Sequence, residues 1–467
     1  MNPLTLKTSR DWLPPFQLER LSLAYWHLGH EFPMWLRTQT QLKLLSLPNT
    51  GISDTILTWF WNITWQLDTL NLSSNQLHVE IQGIVGGSLF SDGQPKELTK
   101  LHLRDNLLTG EIPNCLMNWK WLSTLNLNSN KLTGNIPSSI GYLERLLSLH
   151  LRNNHLYGEL PLSMQNCTDL LLVDLGQNKF SGSIPTWIGT SLPKLMILNI
   201  HSNKLQGDIP HELCHQKTLQ ILDLANNNLS GAIPTCFQNF NAMVTMPDVY
   251  KVWNFFGFLL DSVIVVTKGR QDEYYGTSTL GLVIIMDLSD NMISGEIPDE
   301  LTSLPGLQSL NLSKNLLTGR IPSKLGNMKW LESMDLSMNQ LDGEIPQSMR
   351  TLTFLSHLKV SYNSLTGEIP KSTQLQSLDQ SSFIGNELCG DPLNTNCSSD
   401  RMVPPTVEQD GGGYRLLEDK WFYLSLGLGF FAGFWIVLGS LLVNMPWSIL
   451  LSQLLNRMVL KLYHVFE

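Results

Sequence analysis

Residues 122–137 read LSTLNLNSNKLTGNIP, and the same spelling returns at 146–161 (LLSLHLRNNHLYGELP), 307–322 (LQSLNLSKNLLTGRIP) and 355–370 (LSHLKVSYNSLTGEIP). The shared pattern is L-x-x-L-x-L-x-x-N-x-L-x-G-x-I-P. Its asparagine falls at Asn75, Asn106, Asn130, Asn154, Asn178, Asn203, Asn227, Asn291, Asn315, Asn339 and Asn363, while two earlier copies place Trp26 and Thr50 there. Of the 12 intervals between these 13 positions, eight are 24 residues, two are 25, and the others are 31 and 64. A fixed period of this length marks a stacked-repeat architecture.

Each position has a physical task. In L-x-L the two leucines point to one side of a strand and the intervening residue to the other. So short a strand cannot persist alone, but stacked repeats pair it with its neighbours in a parallel sheet. Asparagine carries both donor and acceptor, so a ladder of them can satisfy backbone groups where the chain leaves the strand. Glycine permits the next turn and proline fixes the backbone on the far side. Ten copies of G-x-[I/L]-P use 10 of the 34 Gly and 10 of the 23 Pro, so these residues punctuate structure. Thirteen strands give a sheet roughly 60 Å long. The expected fold is an α/β leucine-rich-repeat solenoid with its parallel sheet on the concave face, carried by repeats at 12–237 and 281–371.

Composition bounds the function. The 467 residues are 42% hydrophobic and only 15% charged, which excludes wholesale disorder. A net charge of 31 − 40 = −9 argues against a nucleic-acid partner, since no basic face can dominate. Six cysteines are too few for a disulfide scaffold of this size and too scattered for a zinc module. The uncharged apolar run Trp421 to Val443 is long enough to form a single transmembrane helix.

At this point the residues resemble a known family. G-x-I-P marks the plant-specific class of leucine-rich repeats. The opening LKTSRDWLPPFQL (6–18), the insert VTKGRQDEYYGT (266–277), the ending SFIGNELCGDPLNTNC (382–397) and the segment WFYLSLGLGF (421–430) together resemble plant receptor-like proteins. These are cell-surface relatives of receptor kinases that lack the kinase, such as the tomato receptors for fungal xylanase and for leaf-mould effectors. The resemblance implies a plasma-membrane receptor with extracellular repeats, no enzyme activity, no cofactor and no bound metal. It also implies a peptide, protein or glycan ligand, and adaptor and co-receptor receptor kinases as partners.

The 64-residue interval is one repeat plus 40 extra residues, an insert at 238–280. It is aromatic first (Tyr250, Trp253, Phe255, Phe256, Phe258) and polar afterwards (Lys268, Arg270, Asp272, Glu273). A loop this long and apolar must fold back onto something. By resemblance it is an island domain packing on the concave face. It either contacts ligand and co-receptor or simply docks itself. The 31-residue interval adds a Gly-rich surface loop around Gly83 to Pro95. Residues 372–397 read as a C-terminal cap held by a Cys389–Cys397 bridge. Cys115, Cys167, Cys214 and Cys236 sit on convex segments, and both a Cys214–Cys236 pairing and free buried thiols remain open.

Residues 398–420 form an acidic juxtamembrane linker, 421–443 the membrane span and 444–467 a short amphipathic tail, too small for a kinase, that lies on the cytoplasmic membrane surface. Gly429 and Gly433 are spaced for close helix–helix approach, which the resemblance ties to an adaptor kinase, although glycine is common in such helices anyway. No basic-then-apolar leader follows Met1, which reads as truncation of an N-terminal signal, cap and early repeats.

His211-Glu212-Leu213-Cys214-His215 matches the zinc-protease spelling H-E-x-x-H, but its register puts it on a short convex connector after Pro210. His102, Arg104, His150 and Arg152 occupy matching outward phases, with the two pairs about 10 Å apart. They suit contact with an acidic peptide or glycan, against the alternative of an ordinary solvated face. Asp287, Ser289, Asn311, Ser313, Asp335 and Ser337 form a small, uniform outward stretch resembling a co-receptor site. N-x-[S/T] glycosylation signals stand at Asn62, Asn71, Asn166, Asn228, Asn311 and Asn396, consistent with an extracellular domain. The leading reading is a receptor acting in plant defence. A developmental peptide receptor, a wall-associated binding or inhibitor protein and a non-functional truncated product are the alternatives.

Overall fold

The computed structural model describes residues 4–55, 60, 66–81, 97–116, 119–245, 263–267, 270–274 and 283–397. Among these, thirteen three-residue strands, from Arg20–Ser22 to His357–Lys359, pair in parallel and in chain order into one sheet. The register advances one repeat at a time, so Ser148 stands beside Leu172 and Leu172 beside Ile197. The middle residue of each strand points inward: Leu125, Leu149, Val173, Leu198 and Leu222 are all buried in a core that runs the length of the solenoid.

The asparagine ladder supplies what the strand exits lack. Asn154 Nδ2 donates to the carbonyls of Leu127 (3.0 Å), Leu151 (3.1 Å) and Arg152 (3.3 Å), and its Oδ1 accepts from the Leu132 N–H at 3.0 Å. Each rung therefore ties its own strand to the repeat before it. A buried carbonyl left unpaired costs about 1–3 kcal/mol, so one side chain here removes several such penalties. The residue just before each rung, from Tyr25 to Tyr362, takes a left-handed conformation with φ between 53° and 63°. Asn, Asp and Ser fill eight of these thirteen positions, and Tyr25, Gln177, Lys314, Met338 and Tyr362 fill the others. Two residues past the next leucine the chain turns at a glycine such as Gly134 (φ 80°), where a Cβ would lie only 2.7 Å from the Glu111 side chain of the preceding repeat. Proline then starts a short 3-10 helix on the convex side, as Pro137 does before Ser138–Tyr142.

The cap departs from expectation in an informative way. The ladder does not stop at Asn363: Asn386 Nδ2 donates to Val360 O at 2.9 Å and its Oδ1 accepts from Leu365 N–H at 3.0 Å. Glu387–Cys389 extends a five-stranded lateral sheet, pairing with Ser364–Glu368. The cap is thus a fourteenth coil whose concave strand is replaced by the 3-10 helix Gln380–Ser382. Cys389 is bonded to Cys397, and Cys214 to Cys236 on adjacent convex segments. Cys167 is a buried free thiol whose Sγ donates to Ile140 O at 3.3 Å, and Cys115 is half-buried.

The expected surface loop at 83–95, the juxtamembrane linker (398–420), the transmembrane helix (421–443, with Gly429 and Gly433) and the tail (444–467) lie outside the described residues. Among the described residues no helix is long and apolar enough to cross a membrane.

Candidate functional site

The outward side of the concave sheet is where the repeats differ. The first residue of each strand faces out, and along the chain this row runs Thr124, Ser148, Leu172, Ile197, Ile221, Ile285, Ser309, Ser333. Four consecutive aliphatic residues stand in it. They are buried, and what covers them is the insert. Val263–Thr267 and Arg270–Tyr274 pair as an antiparallel hairpin, and Val265, only 1% exposed, packs with Leu172, Ile197, Ile221 and Ile285 in a cluster separate from the main core. Burying one such valine stabilises the contact by about 1.5–3 kcal/mol. An isolated two-stranded hairpin is marginal in water, so this packing is what holds it.

Polar contacts flank the aliphatic cluster. Arg152 Nη1 and Asn199 Nδ2 both donate to the Ile264 carbonyl at 3.3 Å. Arg104 Nη1 donates to Glu273 Oε1 at 2.9 Å, in an ion pair whose side chains are 28% and 29% exposed. Further ionisable groups lie buried on the strands beneath. Desolvation pushes Asp174 up to about 6, with Arg152 opposing it. Asp223 and Asp287 are pushed up to about 7, again chiefly by burial. Burial, with Arg152 adding to it, lowers His201 to about 4, so the imidazole whose Nδ1 lies 3.4 Å from Asp223 Oδ2 is neutral.

The proposed outward quartet is therefore not an open surface. His150 is 0% and Arg152 3% exposed, Arg104 is committed to Glu273, and only His102 and Arg104 keep partial access to solvent. His150 Nε2 instead lies 2.5 Å from Ser148 Oγ. Spacing alone placed these side chains on the correct face but could not say what covers that face. The aliphatic row was the signal to read: an outward Leu or Ile in four successive repeats requires a cover.

A polar ladder starts on the last covered strand, at the buried Asp287, and continues onto the more open C-terminal strands. Asp287 Oδ1 accepts from Ser289 Oγ at 2.6 Å, Asn311 Oδ1 from Ser313 Oγ at 2.8 Å and Asp335 Oδ1 from Ser337 Oγ at 2.6 Å. Asn311 Nδ2 also donates to Asp287 Oδ2 at 3.1 Å, so its amide is used on both sides. Of the glycosylation signals, Asn166, Asn228 and Asn396 are exposed, Asn71 and Asn311 are half-buried on the concave strands, and Asn62 lies outside the described residues. His211–His215 forms a five-residue 3-10 helix, where residues four apart do not share a face, and its Cys214 is in the disulfide.

The fold and its ladder define a leucine-rich-repeat protein, and the Leucine Rich Repeat family matches at residues 97–119, 121–143, 194–216, 218–240, 283–304, 306–328 and 330–352. Receptor-like protein EIX2 of Solanum lycopersicum is 43% identical over 96% of the chain. Receptor-like protein 13 of Arabidopsis thaliana is 46% identical over 42% of the chain. The chain belongs to the plant leucine-rich-repeat receptor-like proteins. It spans 48% of the first relative's length and 18% of the second's. Among solved structures, PEPR1–AtPEP1 is similar with TM-score 0.61 and 30% identity, covering 79% of this chain and 49% of that one. The Arabidopsis receptor kinase HAESA ectodomain, in complex with an IDA peptide hormone, is similar with TM-score 0.59 and 28% identity, over 79% of this chain and 58% of that one.

Proposed function

We propose that the chain is the ligand-recognising part of a non-enzymatic cell-surface receptor. It binds an extracellular ligand through its concave face and acts in plant defence through partner receptor kinases. The observation that carries this reading is the identity to a receptor-like protein over nearly the whole chain. One of the similar structures named above is the ectodomain of a plant receptor kinase holding a peptide hormone. In this reading 421–443 anchors the chain in the plasma membrane, Gly429 and Gly433 pack against an adaptor kinase, and the Asp/Ser ladder at 287–337 meets a co-receptor.

The test is a glycosidase mobility shift on the C-terminally tagged chain made in plant cells, with the exposed asparagines replaced one at a time. Loss of one glycan with each of Asn166→Gln, Asn228→Gln and Asn396→Gln is the expected result. An unshifted band would place the repeats in the cytosol and overturn the reading. Gly429→Leu with Gly433→Leu should then abolish co-purification of a receptor kinase.

A further inference from the structure

The hairpin covers acids as well as aliphatic side chains. In the third strand position Asp174, Asn199, Asp223 and Asp287 follow one another in register, each 3% exposed or less. Asn199 donates to Ile264 O, so the hairpin crosses this row. Beyond the covered strands the same position is half-buried at Asn311 and Asp335 and exposed at Lys359. Asp223 and Asp287 are register partners on paired strands, about 4.8 Å apart across the sheet. Two buried carboxylates this close disfavour each other's ionised form.

The groups around them do little to offset that repulsion. Arg152 is the one buried guanidinium among the described residues, and it donates to Ile264 O. Arg104 pairs with Glu273 of the hairpin, and Arg270 on the same hairpin is exposed. His150 Nε2 meets Ser148 Oγ, while His201 Nδ1 lies 3.4 Å from Asp223 Oδ2. Ser289 and Asn311 donate to Asp287 without bringing charge. Three carboxylates thus share one buried cation. We propose that the hairpin is a pH-gated cover: protonation of Asp174, Asp223 and Asp287 keeps it seated, and their ionisation towards neutral pH releases it and bares the central concave strands.

The sign follows from burial. Asp174 at about 6, and Asp223 and Asp287 at about 7, stand above the 3.8 of an open carboxylate. Their support for the cover is full below about pH 4 and is lost as pH climbs through 6 and 7. His201, lowered to about 4 from 6.5, opposes them between those two values and offsets one of the three. Release need not unfold the solenoid, because the aliphatic cluster under Val265 is separate from the main core. Once unseated, a two-stranded hairpin has little stability of its own.

The test is hydrogen exchange on the full chain at pH 5, 6 and 7, each rate divided into that of the free peptide at the same pH. This ratio cancels the chemical pH dependence and reads local opening. Protection at Val263–Thr267 should fall at least about tenfold per pH unit, the effect of one net proton. Protection at Thr124–Asn126 and Ser333–Asp335 should hold, which separates release from global unfolding. Asp223→Asn with Asp287→Asn keeps the shape of the protonated acids, so the hairpin should stay protected at pH 7. Asp335→Asn in the open region should leave the slope unchanged. Protection at Val263–Thr267 that does not vary with pH in the unaltered chain would overturn the proposal, whatever the variants do. So would a full slope in the folded double variant. Neither result bears on the receptor reading, which the glycosidase shift tests separately.

Discussion

The centre of the concave face and its C-terminal end share one period, one register and one ladder, yet they show opposite surfaces. From Thr124–Asn126 to Ile285–Asp287 every strand residue is buried, and the outward row turns aliphatic at Leu172. From Ser309–Asn311 to His357–Lys359 the outward row is serine, aspartate, asparagine, histidine and lysine, and its third-position residues reach solvent. The inward residues cannot tell these regions apart, because stacking imposes the same demand on every repeat. The outward residues record what each region faces: an insert at the centre, solvent or a partner at the end.

The strongest way to separate the regions is pH. Asp223 and Asp287 at about 7 and Asp174 at about 6 hold protons in the folded chain that the unfolded chain, near 3.8, has already released. Their contribution is full below about pH 4 and is lost as pH climbs towards 7, at about 1.4 kcal/mol per pH unit for each proton. His201, lowered from 6.5 to about 4, acts in the opposite sense over that window and cancels one of the three. Thermal unfolding should therefore occur at higher temperature at pH 5 than at pH 8. Asp223→Asn should shrink the difference, and an unchanged difference would count against the buried acids.

The ladder provides an internal standard. Asn154→Ala in the covered half and Asn339→Ala in the open half should each cost about 3 kcal/mol in denaturant unfolding, since both remove three donated bonds and one accepted bond. A large disparity would mean that the insert, and not the ladder, governs the central repeats. A position where the regions should differ is the outward row. Ile221→Ser should cost about 2 kcal/mol and loosen the hairpin, whereas Ser333→Ala at the matching position should stay within about 0.5 kcal/mol. Smallest is the left-handed position before the ladder: Met338→Asn should stabilise by about 0.5 kcal/mol, because asparagine tolerates that conformation better.

Much of this was legible in the residues. The 24-residue spacing of the asparagines predicts the sheet, the ladder and the convex turns, because each position answers a backbone requirement that recurs in every repeat. The fourteenth coil was legible too, in Asn386-Glu387-Leu388-Cys389-Gly390, but its missing L-x-L hides it from a search that starts at the strand. The covered site was harder. His150 and Arg152 have the phase of ligand-facing residues, and nothing in their own repeats reveals a hairpin that comes from 112 residues away in sequence at the Arg152–Ile264 contact. The length and apolar character of the 238–280 insert required it to fold back, and the resemblance placed it on the concave face, but only the aliphatic row from Leu172 to Ile285 says which repeats it covers.

The most direct test of the cover is hydrogen exchange at the amides of Val263–Thr267 in the full chain. A hairpin unsupported by packing would exchange about as fast as a free peptide. The account predicts slow exchange there, lost in Ile221→Asp, while the amides of Ser309–Asn311 are unchanged. Exchange at free-peptide rates in the unaltered chain, with the concave strands still protected, would contradict it.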